Sequence, residues 1–184
     1  MLKHLTAAEL EAGLKHILAA PKDTGRVELI VRRPATDHRE VLETAMLDLA
    51  QGLVGDNWLQ RGLASMGDGS AHPDMQLNLM SSRVIDLLAQ AKDRWPLAGD
   101  QFYVDIDLSA ANLSAGTRLA IGTAVIEVTA EPHLGCRKFS KRFGRDAMKF
   151  VNSMVGKALN LRGINARVIE PGIVKTGDAI FKLS

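Results

Sequence analysis

The chemistry in this sequence converges on one thiol. Cys136 is the only cysteine in the chain, and it stands in the stretch Glu131-Pro132-His133-Leu134-Gly135-Cys136-Arg137-Lys138-Phe139. Pro132 and Gly135 interrupt regular structure there, which places the cysteine on a loop, where reactive groups usually sit on a rigid scaffold. Arg137, Lys138 and His133 would favour thiolate over thiol by their charge. A thiolate can act as a nucleophile, carry a sulfur atom or ligate a soft metal. The inert alternative is a buried structural cysteine.

The residues after the thiol narrow the choice of ligand. Arg137, Lys138, Lys141, Arg142 and Arg145 put five cations into nine residues with no acid among them, so the rest of the chain is slightly acidic. Such a run can bind phosphate, helped by backbone N–H groups where a helix follows, or it can be a solvated cationic face. A phosphate site beside a thiolate suits one ligand with a metal or sulfur end and an anionic end. His133 and Cys136 have HxxC spacing, but two ligands make no zinc site and no second Cys or His pair lies nearby. Asp105 and Asp107 alternate on one side of a strand and read as its wet face rather than as an acid/base pair. No Gly-x-Ser-x-Gly elbow, GxGxxG or P-loop occurs, so serine hydrolases and the common nucleotide enzymes lack support.

These groups need a scaffold, and its elements are legible in outline. Thr6 and Glu9 form a capping box for a helix to about Ala20, with Leu10, Leu14, Ile17 and Leu18 on one face. Val27, Leu29 and Val31 alternate as a strand, and Arg39 to Leu47 leans towards extended structure. Met75 to Met80 is a further strand, followed by a helix from Ser81 or Ser82 whose stripe runs through Val84, Leu87, Leu88, Ala91 and Trp95 to Pro96. Phe102 to Leu108, Arg118 to Ile121, Thr123 to Thr129, Ile164 to Ile169 and Ala179 to Lys182 read as strands, and Ala147, Phe150, Val151 and Met154 mark a helix. Gly55-Asp56, Gly67-Asp68, Gly99-Asp100 and Gly177-Asp178 read as turns closed by local Asx bonds, and Pro171-Gly172 as another turn. Many short strands with irregularly placed helices give a fold that is mainly β with helices (α+β), a barrel or sandwich rather than a doubly wound sheet.

The chain of 184 residues fits one domain with a helical extension: a leader over residues 1–24 and a β-barrel domain over 25–184. No apolar run approaches the ~20 residues of a membrane span, and no signal peptide is evident. A single cysteine fits a reducing compartment, so the expected location is cytoplasmic with no membrane partner. A net charge of +2 is too mild to imply nucleic-acid binding.

The stretch Asn112-Leu113-Ser114-Ala115-Gly116-Thr117-Arg118-Leu119-Ala120-Ile121-Gly122 to Thr129, followed by Pro132 and Cys136, resembles the MOSC domain, named for the C-terminal region of molybdenum cofactor sulfurase. Gly52-Leu53-Val54-Gly55-Asp56-Asn57-Trp58, Gly163 to Val168 and Gly177-Asp178 fit the same pattern, so the resemblance covers about Val41 to Ile180. It implies a MOSC-type β-barrel and molybdenum–sulfur chemistry at Cys136, as catalytic residue and molybdenum ligand. Two functions follow. One is binding a molybdenum-pterin cofactor and reducing N-hydroxylated compounds as an oxidoreductase with a redox partner. The other is a sulfurtransferase role, with persulfide sulfur received on Cys136 for metal-sulfur cluster or cofactor assembly. A leader of about 40 residues holds no desulfurase, so pyridoxal phosphate would enter only through a separate cysteine desulfurase partner. The resemblance makes Asn112 a pocket residue and gives the pterin phosphate to the basic residues after the cysteine. The cofactor-binding set is therefore Asn112, His133, Arg137, Lys138, Lys141 and Arg142.

Overall fold

A computed structural model describes residues 3–62 and 66–183. The first element is α1 (Ala7–Leu18), whose capping box forms as expected: Thr6 N donates to Glu9 Oε2 at 2.7 Å and Glu9 N donates to Thr6 Oγ1 at 3.4 Å. Then come β1 (Thr24–Arg32), β2 (Glu40–Leu42), β3 (Thr44–Asp48), β4 (Gly52–Leu53), α2 (Trp58–Arg61), β5 (Leu77–Ser81) and α3 (Ser82–Ala89). The second half holds β6 (Phe102–Asp105), β7 (Arg118–Ile121), β8 (Ala124–Val128), α4 (Arg137–Phe143), α5 (Arg145–Asn152), α6 (Met154–Ala158), β9 (Ile164–Glu170), β10 (Gly172–Lys175) and β11 (Ala179–Lys182).

Seven strands close into a barrel in the order β1-β6-β5-β9-β8-β7-β11, sealed by antiparallel pairing of Thr24–Arg26 with Ala179–Phe181. Among the described residues only β5 and β6 pair in parallel. Strand β2 extends the far end of β1, and β3, β4 and β10 form a separate three-stranded sheet. The expected α+β barrel is the observed fold.

Two cores share the barrel wall. Val27, Ile30, Leu79, Phe102, Val104 and Ile126 face inward, joined by Leu47, Leu53 and Val174 of the small sheet. Leu29, Val31, Met80 and Tyr103 face outward and are covered by α1, α3, α4 and α5 through Leu10, Ile85, Phe139 and Val151. Strands buried on both faces read as continuous apolar runs, which is why β5 and β6 carry Leu-Asn-Leu-Met and Phe-Tyr-Val. A register shift between Val27 and Leu29 sends these two residues to opposite faces, although their spacing predicts one face. The leader helix thus contributes Leu10, fully buried, to the outer core. Thr6→Ala should lower global stability by about 1 kcal/mol in chemical denaturation, because the cap it removes belongs to a docked helix.

Three expectations need correction. The stripe from Ser82 to Trp95 is not one helix. Gln90 adopts φ 60°, ends α3, and the chain continues as a 3-10 helix over Lys92–Ala98 that seats Trp95 5.9 Å from the Tyr103 ring. The helix marked by Ala147, Phe150, Val151 and Met154 is not one helix, because α5 ends at Asn152 and Met154 begins α6. The basic run before it is itself helical, parted from α5 at Gly144, φ 99°, where a Cβ would stand 2.9 Å from His4. Gly172, read as part of a turn, instead begins β10 against β3.

Candidate functional site

A cleft of about 460 Å³ opens where the β1–β2 connection, α2, the turn before Gln101 and the start of α4 meet. Cys136 is the extended residue that precedes α4, and it is exposed at the cleft wall. Trp58 and Phe139 supply buried aromatic surface there. Six cationic side chains line the cleft, Arg33, Arg39, Arg61, Lys138, Arg142 and Arg162, against one carboxylate, Asp37, among the described residues.

Two of the cations are neutralised from behind. Arg33 grips Asp56 through Nε and Nη2 at 2.9 and 2.8 Å and spends Nη1 on Asn78 Oδ1 and Gly99 O, both at 2.8 Å. Arg162 Nη1 donates to both oxygens of the fully buried Asp100 at 2.9 and 2.8 Å, and His133 Nε2 reaches Asp100 Oδ1 at 2.8 Å. Burial alone would raise the Asp100 carboxyl, but Arg162 and then His133 outweigh it and hold it at about 2. Burial, and next the Arg162 charge, push His133 below the ordinary histidine range despite Asp100. His133 is therefore neutral near pH 7. An ionised carboxylate only accepts, so Nε2 carries the ring proton and Nδ1 is left as an acceptor. The expectation that His133 adds positive charge beside the thiol is corrected: its imidazole faces the thiol's cleft as a neutral base.

Arg39 and Arg61 are different, for neither has a carboxylate within ion-pair distance among the described residues. Burial comes first in lowering both arginines, followed for Arg39 by the charges of Arg142 and Arg33 and for Arg61 by Arg33. They remain protonated, so like charges are held together in a partly desolvated place. Five buried side-chain polar atoms lack a hydrogen-bond partner among the described residues, and three belong to the cleft lining: Arg39 Nε, Asn57 Oδ1 and Arg162 Nε. Unmet donors and an acceptor gathered in one cleft are what a polar anionic ligand would satisfy.

The structure brings Cys136, His133, Lys138 and Arg142 of the expected set to the cleft, and leaves three others out of its lining. Arg137 and Lys141 are exposed and point elsewhere on α4, because of the cations on this helix only those at 138 and 142 turn, with Phe139, to the cleft. Asn112 is corrected outright. Its Nδ2 donates to Lys22 O and Asp107 O, both at 2.8 Å, its Oδ1 accepts from Lys182 at 3.2 Å, and it ties the β6–β7 connection to the barrel end. Leu113 beside it is core. Asp105 pairs with Arg83 at 2.6 Å and Asp107 caps Ser109 N at 2.9 Å, so neither acts as an acid/base pair. Of the four Gly-Asp pairs, Asp56 and Asp68 accept from the N–H two residues on, Trp58 N at 3.0 Å and Ser70 N at 2.8 Å, and Asp178 accepts from Lys175 N at 2.7 Å. Asp56 and Asp100 are in addition the buried acceptors of the cleft arginines.

The family model for the MOSC domain matches residues 66–181, more than half of the sequence, and the chain belongs to that family. Solved structures share the fold. The YuaD protein from Bacillus subtilis (APC1665) aligns with TM-score 0.60 and 20% identity, covering 86% of this chain and 95% of that one. YiiM from Escherichia coli aligns with TM-score 0.54 and 21% identity over 86% and 70%, and YiiM from Geobacillus stearothermophilus with TM-score 0.53 and 13% identity over 87% and 73%. No curated protein matches the sequence. No helix among the described residues is long and apolar enough to cross a membrane.

Proposed function

We propose that the cleft binds a molybdenum-pterin cofactor, with the Cys136 thiolate as the protein's ligand to the metal and the cleft arginines holding the anionic end. The observation that carries this reading is an exposed thiol on a cleft whose lining keeps Arg39 and Arg61 without carboxylate partners. The donor set fits the group. Among the described residues no three His, Cys, Asp or Glu side chains gather for a metal, so a metal here needs a carrier that brings its other ligands. Arg39 Nε is a spare donor for phosphate oxygen, and Asn57 Oδ1 a spare acceptor for a heterocyclic N–H. The bound cofactor would supply two-electron redox chemistry, which suits reduction of N-hydroxylated compounds with electrons from a redox partner. The chain's own part is to bind the phosphate at Arg39 and Arg61, to present the Cys136 sulfur, and to hold a proton acceptor at His133 Nδ1. If that nitrogen takes a proton, Asp100 stabilises the imidazolium from the other side.

Protein purified anaerobically from a host that makes the cofactor should carry molybdenum and pterin close to equimolar with the chain. Protein free of both would overturn the proposal.

The exposure of Cys136 supports a second reading, a persulfide carrier served by a separate pyridoxal-phosphate desulfurase. Incubation with a desulfurase and cysteine would then add one sulfur to the protein mass, and Cys136→Ala would abolish the adduct.

A further inference from the structure

Asp37 is the one carboxylate in the cleft lining among the described residues, and its position is unusual. It lies in the exposed connection between β1 and β2, with its backbone in the left-handed region at φ 60°. Aspartate tolerates that conformation better than most residues, but it remains uncommon outside glycine. Its side chain reaches across to α4, over a separation of about a hundred residues, and meets two cations there. Lys138 Nζ lies 3.2 and 3.4 Å from the two carboxylate oxygens, and Arg142 Nη2 lies 2.9 Å from Oδ1. Lys138 and Arg142 are four residues apart on one helix face, so a single oxyanion can touch both. Arg142 is further fixed by Nη1 donating to Leu97 O at 2.7 Å. More than half of the Asp37 side chain is exposed, and among the described residues Lys138 and Arg142 are its ion-pair partners.

We propose that Lys138 and Arg142 form an anion-binding subsite for a phosphoryl group, and that the Asp37 carboxylate is its resident stand-in, displaced when such a ligand binds. The inference rests on the anion reading of the cleft. Arg39 and Arg61 then take one anionic group directly, and Lys138 and Arg142 take a second only after Asp37 leaves. Exposed ion pairs of this kind are individually weak, which lets a ligand replace them.

Inorganic pyrophosphate is the probe, with affinity read by calorimetry on the full chain. Asp37→Asn should bind it about 3- to 10-fold more tightly than wild type, the scale set by releasing two exposed ion pairs. Asp23→Asn, which removes the same charge from an exposed pair with Lys182 outside the cleft, should not reproduce the gain. Lys138→Gln should cost more affinity in the Asp37→Asn background than in wild type, because only there is Lys138 free for the ligand. Equal losses in both backgrounds, or no gain in Asp37→Asn, overturn the stand-in while the anion reading survives on wild-type binding. No binding by any of these proteins would overturn both.

Discussion

Asp100→Ala should lower the stability of the protein by about 3–5 kcal/mol, the scale for removing one partner from a buried charged pair. Asp100 is fully buried and is the acceptor for two contacts from Arg162 Nη1 and one from His133 Nε2. Without it the buried Arg162 guanidinium faces no counter-charge and keeps its bonds to Ala98 O at 3.0 Å and Met80 Sδ at 3.9 Å and its place 5.0 Å above the Phe139 ring. Chemical denaturation measures the loss directly. The same carboxylate gives the fold an acid limit. Its folded pKa of about 2 lies below the unfolded value of about 3.9, so its contribution is complete above pH ~4 and disappears as pH falls towards 2. That contribution is about 3 kcal/mol, and the alanine variant should lack this part of the acid transition.

Arg39→Ala should act in the opposite sense on stability and strongly on binding. Arg39 sits near Arg142 and Arg33, and its Nη1 donates to the neighbouring His38 O at 2.6 Å. Removing it relieves repulsion among like charges and strands no buried anion, so the unfolding midpoint should hold or rise. Its affinity for pyrophosphate should fall about 10- to 100-fold, since a hydrogen bond to a charged group contributes ~1.5–3 kcal/mol. A variant that is both less stable and undiminished in anion binding would assign Arg39 a structural role instead.

The fold was legible in the sequence wherever burial is one-sided. The capping box at Thr6 and Glu9, the alternation in β8 and the hairpin between β7 and β8 come directly from residue type and spacing. Legibility failed where a backbone conformation intervened. The left-handed Gln90 cut a continuous apolar stripe, and the bulge in β1 reversed the facing of Leu29. The site was half legible. Cys136 and its cations stand together in the chain, so adjacency revealed them, and the helix pitch then took Lys138 and Arg142 to the cleft but not Arg137 and Lys141. Arg33, Arg39, Arg61 and Arg162 are scattered along the chain, and only barrel closure gathers them. The Gly-Asp pairs at 55–56 and 99–100 carried the missing signal, yet nothing local distinguishes them from those at 67–68 and 177–178. The acids at 56 and 100 are buried because an arginine from a distant element meets each of them. Asn112 illustrates the converse: its neighbours in sequence suggested a pocket, and its amide hydrogen bonds made it a clasp.

The most direct measurement is molybdenum-edge X-ray absorption on cofactor-loaded wild type and Cys136→Ser. With Cys136 as the ligand, the wild-type metal shell contains one more sulfur than that of the serine variant. Identical sulfur shells in the two proteins would contradict it, and the exposed thiol beside the arginine cleft would then have some other task.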